Sequence, residues 1–115
     1  IAKVITQLDN VDLINDERFA ANWVASRVAS RPMGRTRMTW ELRRKGIAPE
    51  AVDEALSQVD EDKEFEMALE LAERRLGGEK LKDPESKRKL AGFLQRRGFY
   101  WDIVSRVLDR LMPEE

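Results

Sequence analysis

The sequence predicts an all-α protein: tandem three-helix repeats forming an elongated, curved array. Three observations predict it. Apolar residues recur at i, i+3, i+4 and i+7, and no sustained two-residue alternation is bounded by turns. Glycines stand where helices end, and prolines where the next ones begin. The pattern then repeats itself along the chain, with Met38 matching Leu90 at an offset of 52.

Each element follows from local chemistry. Residues 2–8 read as a short helix or the tail of one. Asn15 fits an N-cap, with Asp16 and Glu17 in the electropositive first turn. Ala20, Trp23, Val24 and Val28 then form an apolar stripe ending near Arg31. Pro32 and Gly34 break it. The next helix spans about Arg35 to Lys45, with Met38 and Leu42 inward. Gly46 ends it, because a left-handed backbone is cheapest for glycine. Pro49 opens a helix that buries Val52, Ala55, Leu56 and Val59.

The order then restarts. Phe65, Ala68, Leu69, Ala72 and Leu76 line a helix stopped by Gly77 and Gly78. Asp83 and Pro84 suit the N-cap and first position of the next. Leu90, Phe93 and Leu94 face inward there, and Gly98 closes it. Val104, Val107, Leu108 and Leu111 complete the second round, and Pro113 ends the order.

Leu42 to Ile47 aligns with Leu94 to Phe99, and Val52, Ala55, Leu56 and Val59 with Val104, Val107, Leu108 and Leu111. A Schellman ending should pack Ile47 on Leu42 and Phe99 on Leu94. Three short helices cannot bury both faces alone, so the units should share surface. The expected division is 15–59 and 60–112, with 1–14 the last helix of a preceding unit. The chain opens on Ile, which suits a piece of a longer protein.

Composition excludes much chemistry. The 115 residues hold no His and no Cys. Zinc sites of the usual kinds, haem, iron–sulfur clusters, thiol nucleophiles and Ser–His–Asp triads are thereby ruled out. No cofactor and no enzymatic role is expected. Lack of Cys fits a reducing cytoplasm. No apolar run approaches the roughly 20 residues of a membrane span, and no signal-peptide pattern opens the chain.

Net charge is −1, yet the charges are segregated. Residues 27–45 hold seven bases and one acid, and residues 74–97 nine bases and three acids. Between them, residues 48–73 hold ten acids and one base. Arg43, Arg44 and Lys45, like Arg96 and Arg97, fall in a last helical turn, where they can complement the helix dipole. Arg35 and Arg37, and Lys87 and Arg88, fall near helix starts, where positive charge is unfavourable. That misfit points to a reason outside the helix. The candidate site is a discontinuous basic track of these nine residues, facing phosphates or an acidic protein surface. The acidic block reads as a solvated face without buried carboxylates. Phe19, Trp23, Phe65 and Phe93 read as core. Trp40 lies off its stripe; Tyr100 and Trp101 follow a glycine turn and should pack between repeats, the alternative being that one covers the unit and the other is accessible.

Three stretches resemble the RecX family, regulators of the bacterial recombinase RecA. They are LINDERFAANWVASR (13–27), ELRRKGI (41–47) and FLQRRGFYWDIV (93–104), in the family's order. The resemblance covers about residues 4–112. It implies a curved array of usually three three-helix repeats, of which this chain lacks most of the first. It implies a non-enzymatic cytoplasmic modulator in DNA repair and the SOS response. Such proteins bind the RecA–DNA filament, lie in its groove and reduce ATPase and strand exchange. Some members bind single- or double-stranded DNA. Oligomeric state stays open. The alternative is a general helix-turn-helix DNA-binding module. Against it, the helix opened by Pro49 carries Glu50, Asp53 and Glu54.

Overall fold

The computed structural model describes the backbone of residues 7–113 and the side chains of residues 14–113. Six helices follow in order: α1 (Gln7–Ser30), α2 (Arg35–Arg44), α3 (Pro49–Leu56), α4 (Glu61–Leu76), α5 (Pro84–Arg96) and α6 (Trp101–Leu111). All regular structure among the described residues is helical. In each half the third helix packs on the other two: α3 on α1 and α2, and α6 on α4 and α5.

The molecule measures 63 × 24 × 20 Å, with a radius of gyration of 17.6 Å. A compact domain of this length would have about 13 Å. Elongation follows from two small units joined side by side.

The two glycine turns form as Schellman endings. Ile47 N–H donates to Leu42 O at 3.1 Å, and Gly46 N–H to Arg43 O at 2.9 Å. Phe99 N–H donates to Leu94 O at 3.2 Å, and Gly98 N–H to Gln95 O at 2.9 Å. Gly46 and Gly98 hold φ of 85° and 94°, the left-handed region that these turns require. Met38, Leu42, Leu90 and Leu94 are fully buried behind them, as are Val52 and Val104.

Asn15 is not an N-cap. α1 passes through it without a break and is 24 residues long. Neither Gly nor Pro occurs before Pro32 to stop it. An interior Asn costs about 0.6 kcal/mol relative to Ala. Ending one helix and starting another would leave eight backbone groups without helical partners. Asp16 accordingly does not serve its own helix start: its Oδ2 accepts from the Ala48 N–H at 3.0 Å, at the N-cap of α3. Residues 1–6 of the expected preceding helix lie outside the described residues.

The buried face of α4 is rotated from the expected stripe. Met67, Ala68, Leu71 and Ala72 are buried, while Phe65, Leu69 and Leu76 are only partly so. Glu64 shares that inner face and is 4% exposed, so the acidic block does contain a buried carboxylate. Ile103 and Leu81 also enter the core unforeseen.

Phe19 is 46% exposed, against the expectation of a core ring. α3 closes on α1 over Ala20 and Val24, both fully buried, and the ring lies off that face. Trp23, Phe65 and Phe93 pack against the core but keep one face under a guanidinium. Arg27 covers Trp23, Arg106 covers Phe65, and Arg75 and Arg97 both cover Phe93. Tyr100 and Trp101 do not pack between repeats, being 65% and 55% exposed. They occupy the cap and first position of α6, while Phe99 takes the inward place.

Candidate functional site

The joint between the two units is where sequence-distant basic residues meet. Gly34 caps α2, and its N–H donates to Arg97 O at 2.7 Å. The positive end of α2 therefore abuts the negative end of α5. A Cβ on Gly34 would fall 2.1 Å from Gly98 O, so only glycine permits the approach. Gly98 faces Arg37 as closely from the other side.

Side chains reinforce this backbone contact. Arg37 Nη1 donates to Arg96 O at 3.1 Å, and its Nε to Glu41 Oε2 at 3.2 Å. Arg97 Nη1 donates to Pro32 O at 3.3 Å. Arg35 N–H, at the first position of α2, donates to Glu64 Oε2 at 2.9 Å. Burial pushes the Glu64 carboxyl above its ordinary range, and the Arg35 N–H and guanidinium pull the other way. At the start of α2 the Arg37 side chain thus meets the carbonyl end of α5 and the Arg35 backbone N–H meets a buried carboxylate, while Arg35 Nε is buried with no hydrogen-bond partner among the described residues.

Beside the joint lies an open cleft of about 540 Å³. Arg27, Arg31, Arg37, Arg74 and Arg97 line it, over Pro32, Met33 and Leu71. Glu41 is its one acidic lining residue, and it is paired with Arg37. Arg74 reaches Glu70 at 3.2 Å across an exposed surface, a pairing worth little in water. Arg27 Nε is buried with no hydrogen-bond partner among the described residues.

The nine predicted basic residues are therefore divided. Arg37, Arg96 and Arg97 come together at the joint, with Arg35 partly buried behind it. Arg43, Arg44 and Lys45 are exposed at the far end of α2, roughly 13 Å along its axis from Arg35. Arg44 stacks on Trp40, which is 56% exposed as its position off the stripe suggested. Lys87 and Arg88 lie at the far end of α5, at the rim of a shallow apolar groove that includes Trp101 and Leu108. The two outer groups flank the joint from opposite ends of two abutting helices.

Two family models match the chain. RecX, second three-helix domain, covers residues 15–56, and RecX, third three-helix domain, covers residues 61–108.

The chain belongs to the RecX family.

Curated relatives agree. It is 37% identical over 114 residues to Regulatory protein RecX of Streptomyces coelicolor, covering 98% of this chain and 61% of that protein. Regulatory protein RecX of Amycolatopsis mediterranei is 40% identical over 112 residues, covering 96% and 64%. That of Chlorobaculum tepidum is 32% identical over 115 residues, covering 100% and 70%. The chain thus spans a little over 60% of the Streptomyces and Amycolatopsis proteins. Among solved structures, RecX from Lactobacillus salivarius superposes with a TM-score of 0.75 at 24% identity, over 96% of this chain and 72% of that one. A second regulatory protein RecX gives 0.71 at 26% identity, over 82% and 47%.

Sequence reasoning missed three of the five cleft arginines: Arg27, Arg31 and Arg74. A signal was present. Arg27 and Arg74 are the first residues of the two basic blocks, and Arg27 and Arg31 stand four apart on one helical face. No described helix is long and apolar enough to cross a membrane.

Proposed function

We propose that this chain regulates the recombinase RecA by binding the RecA–DNA filament and reducing its ATPase and strand exchange, in DNA repair and the SOS response. It acts by binding and not by catalysis, in the bacterial cytoplasm. Membership of the RecX family carries this reading. The shape supports it: a 63 Å body about 20 Å thick suits a groove between neighbouring subunits. So do the three basic groups: Arg43, Arg44 and Lys45 at one end of α2, Arg37, Arg96 and Arg97 at the joint, and Lys87 and Arg88 near the start of α5. The division into 15–59 and 60–112, with 1–14 ending a preceding unit, belongs to the same reading.

A body held across several subunits would oppose the opening and closing that turnover needs. The helix-turn-helix alternative is less supported. The exposed face of α3 carries Glu50, Asp53 and Glu54, which a DNA groove would repel.

Co-sedimentation with RecA filaments on single-stranded DNA tests the reading. The chain should pellet with filaments, and R43E/R44E should pellet less while remaining helical by circular dichroism. Equal pelleting of a folded R43E/R44E chain would remove these residues from the contact surface.

A further inference from the structure

We propose that the inter-unit cleft is a binding site for the phosphate backbone of nucleic acid. It deepens the filament-binding reading, resting on it only for where the strand is met.

The cleft gathers guanidinium groups from separate parts of the chain. Arg27 and Arg31 come from the end of α1 and just beyond it, Arg37 from α2, Arg74 from α4 and Arg97 from the turn after α5. Guanidiniums stay charged at physiological pH, and their planar forks match phosphate oxygens. Glu41 in the lining pairs with Arg37 and the exposed Glu70 with Arg74, so five guanidiniums face two carboxylates, a clustering that a bound anion would relieve.

Two of the five, Arg97 and Arg27, are held by groups that leave their charge unneutralised. Arg97 lies 5.2 Å from the Phe93 ring centroid and donates to Pro32 O. Arg27 lies 4.7 Å from that of Trp23, with its Nε buried and unpartnered. A third, Arg37, is paired with Glu41 and gives a further donor to the Arg96 carbonyl. Ring faces and carbonyls fix the geometry in advance, which lowers the ordering cost of binding.

The ligand class follows from charge and shape. A lone carboxylate neutralises one arginine. A nucleic-acid strand offers a phosphate about every 3.4 Å of helix axis. No aromatic among the lining residues offers a face to a base. Trp23 and Phe93, the rings against which Arg27 and Arg97 lie, are already covered by guanidiniums. The site therefore reads backbone and not sequence.

Fluorescence anisotropy of the 115-residue chain with labelled oligothymidine, across a salt series, tests the site. The test variant is R31Q/R74Q, because Arg31 is exposed and the Arg74 side chain is 67% exposed. The control is K80Q/R110Q, with the same charge change in a different surface depression. R31Q/R74Q should weaken binding roughly 20-fold at 0.1 M salt and flatten the log–log salt slope by about 1.4. K80Q/R110Q should change affinity less than about twofold, as expected away from the backbone contacts.

Equal weakening by both variants would overturn the site, since net charge alone would explain it. So would unchanged binding by R31Q/R74Q, no binding by the parent chain, or displacement of oligothymidine by an oligoglutamate peptide at equal charge concentration. RecA ATPase inhibition is measured in parallel. Inhibition lost in R31Q/R74Q with oligothymidine binding intact would overturn the site and leave the regulator reading standing. Oligothymidine binding lost in R31Q/R74Q, in a chain that never acts on filaments, would support the site and remove the regulator reading.

Discussion

The N–H of Gly34 donates to the carbonyl of Arg97 at 2.7 Å, across 63 residues of sequence, and fastens one three-helix unit to the next. The contact is backbone to backbone. It depends on two glycines meeting where any larger residue would intrude.

Gly34→Ala should therefore be costly for a different reason from Gly46→Ala. A Cβ at 34 would overlap Gly98 O, whereas nothing lies within 4 Å of one at 46, where φ is 85°. Gly46→Ala should cost about 1–2 kcal/mol of left-handed strain. Gly34→Ala should cost about 3 kcal/mol, at the upper end for an overpacked site. Urea unfolding of both variants checks the order, and a milder effect at 34 would mean the joint yields easily.

Glu64 and Arg35 give a prediction with a pH sign. The Glu64 carboxyl is raised above 4.5 by burial, so the folded chain binds a proton there more readily than the unfolded one. This group's contribution to stability therefore increases as pH falls from neutral toward 4.5. Glu64→Gln keeps an acceptor for the Arg35 N–H and removes the titration. Unfolding at pH 5 and pH 7 should show the wild type gaining on Glu64→Gln at the lower pH. Glu64→Ala should lose about 1 kcal/mol at pH 7 through the missing helix cap. Identical pH profiles for wild type and Glu64→Gln would remove the titration claim.

Leu94 and Leu42 occupy equivalent places behind the two Schellman turns, both fully buried. Truncation of either to Ala should cost about 2–5 kcal/mol. The second effect should appear in the same cooperative transition, because the units are locked at the joint. Two separated transitions in Leu42→Ala would show that the units unfold independently.

Tryptophan quenching reports the exposed aromatics. Trp40 and Trp101 are 56% and 55% exposed, while Trp23 lies partly buried under Arg27. Trp40→Phe and Trp101→Phe should each leave stability within about 0.5 kcal/mol. Together they should remove most of the iodide-quenchable emission. Persistent quenching in the double variant would place Trp23 at the surface.

Much of this architecture was legible. Met38, Leu42, Leu90 and Leu94 reveal the repeat because a buried helix face and its glycine ending must recur together. Asn15 misled because a good capping residue is also tolerated inside a helix that nothing interrupts. Glu64 was legible in principle. It stands on the 64, 67, 68, 71, 72 face, where a carboxylate must find a donor. Its donor, the Arg35 N–H, belongs to the neighbouring unit, and no local pattern announces that. The cleft shares the difficulty: Arg27, Arg31 and Arg74 converge with Arg37 and Arg97 only once the joint forms. Tyr100 and Trp101 show the reverse error, since a place just after a glycine turn does not by itself put an aromatic between repeats.

The central claim, regulation by binding, is tested most directly by the single-stranded-DNA-dependent ATPase rate of RecA titrated with this chain. Loss of ATPase activity at fewer than one chain per RecA subunit is the predicted result. An unchanged rate at severalfold excess of the folded chain would contradict it.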